Sequence, residues 1–363
     1  MFSTRSHLGH ERNRLSLLLE QKPPRFDISE SNPTRTNLPY PTRELLGALD
    51  NDAARVYAPD PRGLKLAREA IALRMRARGL DVHPDHVLLT SGTSEAYGHL
   101  FKLLCDPGDE VLVPTPSYPL FEHLCRLESV TPVPYPLRYD GSWHIDLPTL
   151  RAARSPKTRA ILVVSPNNPT GSYLKRDELH ALSQLGLPLI ADEVFTDYPL
   201  REDPERAASA LACDDTLVFA LYGLSKHAAL PQWKVSWTCL RGPQYLARQA
   251  AARLELIADT YLSVATPTQH ALPHILELAE PTRRAVHARL RRNLGALSAQ
   301  ITKDSPVSLL DVEGGFYAVL RLPRVQSEEQ WVLDFLEHEG VHVQPGFFFD
   351  FSDEAFVVLS LLT

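Results

Sequence analysis

The sequence predicts an α/β fold, a mainly parallel sheet flanked by helices, with a smaller α+β domain after it. Between about residues 86 and 240, short β-branched apolar runs alternate with longer helical patterns, the rhythm of parallel strands joined by crossover helices. The runs show no polar alternation, as expected of strands covered on both faces. The chain has 363 residues and is 44% hydrophobic, enough to bury a core in each of two domains.

In chain order, strands are expected at 86–90, 110–113, 159–164, 187–191 and 216–221, with helices at 94–105, 118–127 and 175–184. Residues 244–280 and 282–301 read as helical. After Pro306 come a strand at 315–320, a helix at 328–339 and a strand at 356–361. The expected division is an N-terminal arm with part of the small domain at 1–45, a large domain at 46–270 and a C-terminal small domain at 271–363. Pro23-Pro24 and Asn32-Pro33 make the first forty residues read as an extended arm rather than a compact unit.

Composition narrows the function classes. Thirty prolines favour short punctuated elements over coiled coils or helical repeats. No run approaches the roughly 18 to 20 apolar residues of a membrane span, and the opening MFSTRSHLGHERNR lacks a signal-peptide core, so a cytoplasmic protein is expected. With 38 basic and 44 acidic residues the net charge is −6, which offers no general attraction to nucleic acid or membrane. Arg283, Arg284, Arg289, Arg291 and Arg292 fall opposite Val286, Leu290, Leu294 and Leu297 and read as the solvated side of an amphipathic helix. Cys105, Cys125, Cys213 and Cys239 show no C-x-x-C spacing, so they are expected as buried thiols, with neither a disulfide scaffold nor a metal site.

Four segments carry chemistry, each at the end of an expected strand. Thr90-Ser91-Gly92-Thr93 opens a helix, where a phosphate can sit, although hydroxyls at a helix start also serve as ordinary caps. Ser165-Pro166-Asn167-Asn168-Pro169-Thr170-Gly171 fixes a backbone more tightly than a surface loop requires, with amides able to donate to a ligand oxygen. Asp192 ends a buried run and needs a cation, which an internal ion pair would also supply. Ser225-Lys226 follows the next run, and a lysine in a dry pocket can lose its proton and bond to an aldehyde.

Taken together with Tyr57, Pro61-Arg62-Gly63, Pro107-Gly108-Asp109, Pro114-Thr115-Pro116-Ser117-Tyr118-Pro119 and Gly314-Gly315-Phe316, these segments resemble the class I and II aminotransferases of fold type I over almost the whole chain. Those enzymes depend on pyridoxal 5′-phosphate (PLP). The resemblance implies that Lys226 bonds to the PLP aldehyde and then shuttles a proton. It implies that Asp192 pairs with the ring nitrogen, Asn168 donates to the 3-oxygen and Tyr118 stacks on the ring. Ser91, Gly92, Thr93, Phe195, Ser225 and Lys234 complete the implied cofactor site, and Tyr57 reaches the phosphate of a partner subunit, making a homodimer with a shared active site. Cis bonds at Asn168-Pro169 and Thr115-Pro116 are implied as well.

The departures are specific. Phe195 stands where the family often has tyrosine, Lys234 where it has arginine and Gly223 where it has serine. Val358 stands at the usual place of the arginine that grips the substrate carboxylate, and the final family helix is expected to be missing after Thr363. Asn32 and Arg35 are the substitutes expected to meet substrate, since family arms at this place fold over the cofactor mouth. The activity implied is transfer of an amino group between an amino acid and a 2-oxo acid. A β-lyase or racemase, or a degenerate PLP-binding protein without turnover, would share the same cofactor residues.

Overall fold

The computed structural model describes residues 2–6, 12–353 and 355–363, so positions 1 and 7–11 of the expected arm lie outside the described residues. The arm is not wholly extended. Asn13 accepts the Ser16 amide through its side chain and caps a helix at Arg14–Gln21. Leu15, Leu18 and Leu19 give that helix an apolar face, and Leu15 is buried among Val332, Leu333 and Leu336. The expectation of an extended arm is thus corrected by a helical spacing of leucines. β1 (Phe26–Asp27) continues it and pairs in parallel with residues 341–342.

Eight strands build the large sheet. They are β2 (Val87–Thr90), β3 (Glu110–Thr115), β4 (Thr131–Tyr139), β5 (Trp143–Ile145), β6 (Thr158–Val164), β7 (Leu189–Asp192), β8 (Val218–Gly223) and β9 (Ser236–Arg241). Across the sheet they lie in the order β2-β9-β8-β7-β6-β3-β4-β5. Only β5 and β9 oppose the rest, so the other six strands end at one edge. Successive residues of the buried strands feed opposite layers. Ile161, Val163 and Leu189 pack with Ile71, Met75 and Ile275 on one side, while Leu162, Ile190 and Phe219 pack with Tyr97, Leu100 and Leu254 on the other.

Three of these strands lie outside the expected set. β4 carries Pro132, Pro134 and Pro136, which read as breakers, yet alternate positions place all three missing donors on one side of the strand. On that side β5 pairs only with residues 137–139, so the prolines fall on an open edge. β9 mixes Ser236, Thr238 and Arg241 with apolar residues and hides in the interior between β2 and β8.

The expected helix at 244–280 is two helices, Gln244–Asp259 and Thr266–Leu278, parted by a turn with Leu262 at φ 46°. Glu280–Gln300 follows. Its arginines are not all solvated: Arg283 pairs with Glu280, and Arg289 donates to the carbonyls of Thr36 and Leu362. The second sheet consists of β10 (Ser308–Leu309), β11 (Tyr317–Arg321), β13 (Gln344–Pro345) and β14 (Phe356–Ser360), in the order β10-β11-β14-β13, with β12 (Val341–His342) beside β1. The expected helix at 328–339 is Glu328–Asp334 continued by a π-helical turn.

Cys125, Cys213 and Cys239 are buried, Cys105 is half-buried, and all are free thiols. No helix among the described residues is long and apolar enough to cross a membrane. The sheets meet where Gly171, at φ +76°, approaches Gly314: a Cβ on Gly171 would stand 2.7 Å from the Gly314 carbonyl oxygen. Gly171→Ala is therefore expected to cost about 2–3 kcal/mol of unfolding free energy. Gly186→Ala, at φ +67° with nothing within 4 Å, should cost only about 1 kcal/mol. Denaturant titration of both against the parent protein checks the difference, and equal costs would show that the close approach is not a constraint.

Candidate active site

Asp192 lies at the last position of β7 and is 7% exposed. Tyr97 donates to its Oδ2 at 2.9 Å and the Val194 amide to its Oδ1 at 3.2 Å, but no ion pair reaches it among the described residues. Desolvation pushes its carboxyl up to about 6, against the pull of Tyr97, the Val194 amide and the charge of Lys226. The neighbouring Glu193 points to the other side of the strand, where Tyr222, Ser209 and the Ala210 amide satisfy it at 2.5, 2.9 and 2.7 Å.

Lys226 sits on the single helical turn Leu224–His227 that directly follows β8, the strand beside β7. Desolvation lowers its ammonium to about 8, and Asp192 opposes that shift. Its Nζ stands 5.3 Å from the centroid of the Phe195 ring and 5.5 Å from that of Phe316. Phe195 is buried and packs edge-on against Phe316 at 4.9 Å. A buried acid and an amine of lowered pKa thus share a floor with aromatic walls.

The Ser165-to-Gly171 loop contains cis bonds at Ser165-Pro166 and Asn168-Pro169, and β3 ends in a cis bond at Thr115-Pro116. Asn167 is spent inside the protein: its Nδ2 donates to Ser117 and its Oδ1 accepts from Thr170. Asn168 is different. It is 6% exposed and its Oδ1 is buried with no hydrogen-bond partner, so its amide is free for a ligand. Tyr118, beyond β3, is half-buried, packs edge-on against Phe121 at 5.8 Å and has its hydroxyl pushed up to about 12 by desolvation.

Gly92 caps the helix Thr93–Leu104, whose first amides have no acceptor within the helix. The Lys234 ammonium lies 3.5 Å from where a Gly92 Cβ would be, carried there by a backbone at φ 50°. An anion at this end would meet both the helix terminus and the ammonium. Ser91 faces away from that role in one respect, since its amide and hydroxyl both donate to Glu95 at 2.7 and 3.2 Å. Ser225 is half-buried beside Lys226. Tyr57 is 79% exposed.

Two positions bear on substrate. Val358 is 1% exposed within β14, packed with Trp143, Val319 and Phe349. Asn32 caps a short turn by accepting the Thr34 amide, and Arg35 on that turn is 74% exposed with its guanidinium 3.4 Å from Glu30. Residues absent from the sequence reading complete the site. Tyr317 is half-buried beside Phe195, with Ser31 of the arm near its hydroxyl, and Tyr97 orients Asp192. No short motif marks either tyrosine, because each acts through a distant segment.

These features fit PLP: a buried acid for a ring nitrogen, an unpartnered amide for an oxygen, a helix terminus with an ammonium for a phosphate, and an amine for an aldehyde. From residue 33 to residue 360 the chain matches the family model of aminotransferase class I and II. Glutamate-pyruvate aminotransferase AlaA of Escherichia coli (strain K12) is 30% identical over 337 residues, covering 88% of this chain and 81% of that protein. Alanine aminotransferase of Mycobacterium tuberculosis is 30% identical over 318 residues, with 84% and 73% covered. The crystal structure of an aminotransferase from Escherichia coli aligns with 100% of this chain and 94% of its own, at a TM-score of 0.83 and 26% identity. The chain therefore belongs to the class I and II aminotransferases, a PLP-dependent family that transfers an amino group between an amino acid and a 2-oxo acid.

Proposed function

We propose that this aminotransferase binds PLP at the floor formed by Asp192 and Lys226, with Lys226 as the residue that bonds to it. The single observation that carries the proposal is the pairing of a desolvated amine with a desolvated carboxylate at the ends of adjacent parallel strands. When bound, PLP supplies an electron sink that eases removal of the substrate Cα proton. Lys226 Nζ takes that proton, because an amine titrating at about 8 is deprotonated in an appreciable fraction and is still basic enough. Asp192 holds its negative charge against the ring nitrogen, and Asn168 donates to the 3-oxygen. Tyr118 covers one ring face. Gly92, Thr93, Ser225 and Lys234 hold the phosphate end, Ser91 braces the turn before them through Glu95, and Phe195 fills the wall without competing for the oxygen, since a phenyl ring has no donor. The relatives named for glutamate, pyruvate and alanine support a small amino acid and a 2-oxo acid as the first substrates to try.

A homodimer with a shared site is part of the proposal. Tyr57 and Val56 are 79% and 65% exposed, and Leu46, Tyr261 and Leu262 add further exposed apolar surface, which supports coverage by a second copy. For the substrate carboxylate, Arg35 is the proposed partner. Its turn follows Ser31, which lies near the Tyr317 hydroxyl at the mouth, and Val358 has no charge to offer.

Four outcomes are expected. PLP added to the apoprotein should attach at a rate that rises with pH and levels off above about 8, because the neutral amine attacks and its pKa lies well below the usual 10.5. Borohydride should then trap PLP on Lys226, and Lys226→Ala should show neither the visible band nor turnover; trapping on another lysine would refute the assignment. Co-expressed Tyr57→Ala and Lys226→Ala chains, each inactive alone, should recover up to one competent site per heterodimer, and no recovery would indicate sites built within one chain. Arg35→Ala should lower kcat/KM for the amino acid by about tenfold or more while PLP stays bound, with Arg35→Lys recovering part of it because it loses the bidentate fork. Parent-like kinetics in Arg35→Ala would remove Arg35 from the site.

A further inference from the structure

The turn that carries Lys226 is only four residues long and makes few hydrogen bonds of its own. Ala228 and Leu230 donate to the Leu224 carbonyl at 3.0 and 3.1 Å, and Ala229 reaches the Lys226 carbonyl only at 3.3 Å. One helical turn cannot hold a lysine in place, because nucleation fixes several dihedral angles in return for a single bond. What holds it comes from the loop that follows Asp192. Tyr198 donates its hydroxyl to the Lys226 carbonyl at 2.6 Å. One residue earlier, Asp197 Oδ2 lies 2.6 Å from Nδ1 of His227, the residue next to Lys226.

Both straps are anchored from behind. The Tyr198 side chain is fully buried and its ring packs edge-on against Phe316 at 5.0 Å. Its amide donates to Phe195 and its carbonyl accepts from Gly315, each at 3.0 Å. Asp197 is also paired with Arg74 at 3.3 Å, on the helix Lys65–Ala77, and His227 is 5% exposed. The same loop therefore carries Asp192 at one end and two holds on the Lys226 turn at the other.

We infer that Tyr198 and the Asp197–His227 pair are positioning residues for Lys226, fixing its amine relative to Asp192 so that both reach the cofactor at once. This rests on the reading of Lys226 as the residue that bonds to PLP. In the bonding step the neutral Nζ would attack the aldehyde carbon, a C=N bond replacing the C=O bond as both N–H protons pass to the carbonyl oxygen, which leaves as water. A turn free to shift by even 1 Å presents the amine poorly to that carbon, and such misplacement costs rate rather than fold.

The test is the rate at which PLP added to each apoprotein forms the visible band, read beside total PLP bound and the melting temperature. Tyr198→Phe, which keeps the ring against Phe316, is expected to slow bond formation by about tenfold or more with little change in total PLP bound. Tyr173→Phe removes a comparable hydroxyl, which donates to Thr196 on the same loop at 3.2 Å, and should load at the parent rate. His227→Leu should slow loading as Tyr198→Phe does, and His227→Asn, whose amide can donate to Asp197, should recover part of it. That pair decides the matter if Tyr198→Phe fails to fold. Parent-like loading in both Tyr198→Phe and His227→Leu, or equal slowing in Tyr173→Phe, overturns the inference. Borohydride mapping of the parent protein separates the two readings: a label on Lys226 with unchanged variant rates overturns only the positioning, whereas a label elsewhere overturns the site assignment and the positioning with it.

Discussion

A carboxylate and an amine buried on one floor, each denied the water that would stabilise its charge, set the terms for the rest of this molecule. Burial raises the acid and lowers the base, so Asp192 and Lys226 move toward each other on the pH scale, and their mutual attraction offsets only part of the cost. Such a penalty, several kcal/mol per ion, is sustained only by a scaffold that cannot relax around it. The large sheet provides that scaffold. β7 and β8 are adjacent and parallel, with Asp192 paired to Leu221 in register, so the two groups emerge side by side from strands buried on both faces. The Tyr97 hydroxyl reaches Asp192 from the helix whose first turn forms the anion end of the site.

The second sheet closes the site from the opposite side. Phe316 and Tyr317, just before and at the start of β11, pack against Phe195 and bring aromatic surface within about 6 Å of the Lys226 amine. An ion network fastens the segment in front of them. Lys175 lies 2.5 Å from Asp203 and 2.6 Å from Glu313, and Glu313 is 1% exposed. Ser31 of the arm lies near the Tyr317 hydroxyl, so three distant stretches of chain come together at one mouth.

Much of this was legible in the sequence. The parallel strands announce themselves as unbroken apolar runs, and the candidate site residues stand at their ends because the polypeptide must leave the sheet there: Gly92 after β2, Asn168 after β6, Asp192 closing β7 and Lys226 after β8. What stayed hidden has two physical causes. In β4 and β9, tertiary placement overrides local preference, since an open edge accepts prolines and two flanking strands accept Ser236 and Thr238. Tyr97, Tyr198 and Tyr317 matter through single contacts with residues far away in sequence, and no spacing rule encodes those. The arm helix was obscured by its neighbours: Pro23-Pro24 and Asn32-Pro33 argue for extension, while Leu15, Leu18 and Leu19 decide otherwise by docking on a helix more than three hundred residues away.

The approach of Gly171 to the Gly314 carbonyl has an evolutionary side. A joint with no room for a methyl group adds to the ion pairs and ring contacts between these two parts of the chain, so neither can drift without the other. Loops at the rim can lengthen, and surface helices can exchange residues freely. A side chain at either glycine would have to displace the path of the backbone through 165–171 or through 313–316. Change is then easier to accommodate outside the joint, as on the arm and its exposed turn bearing Arg35.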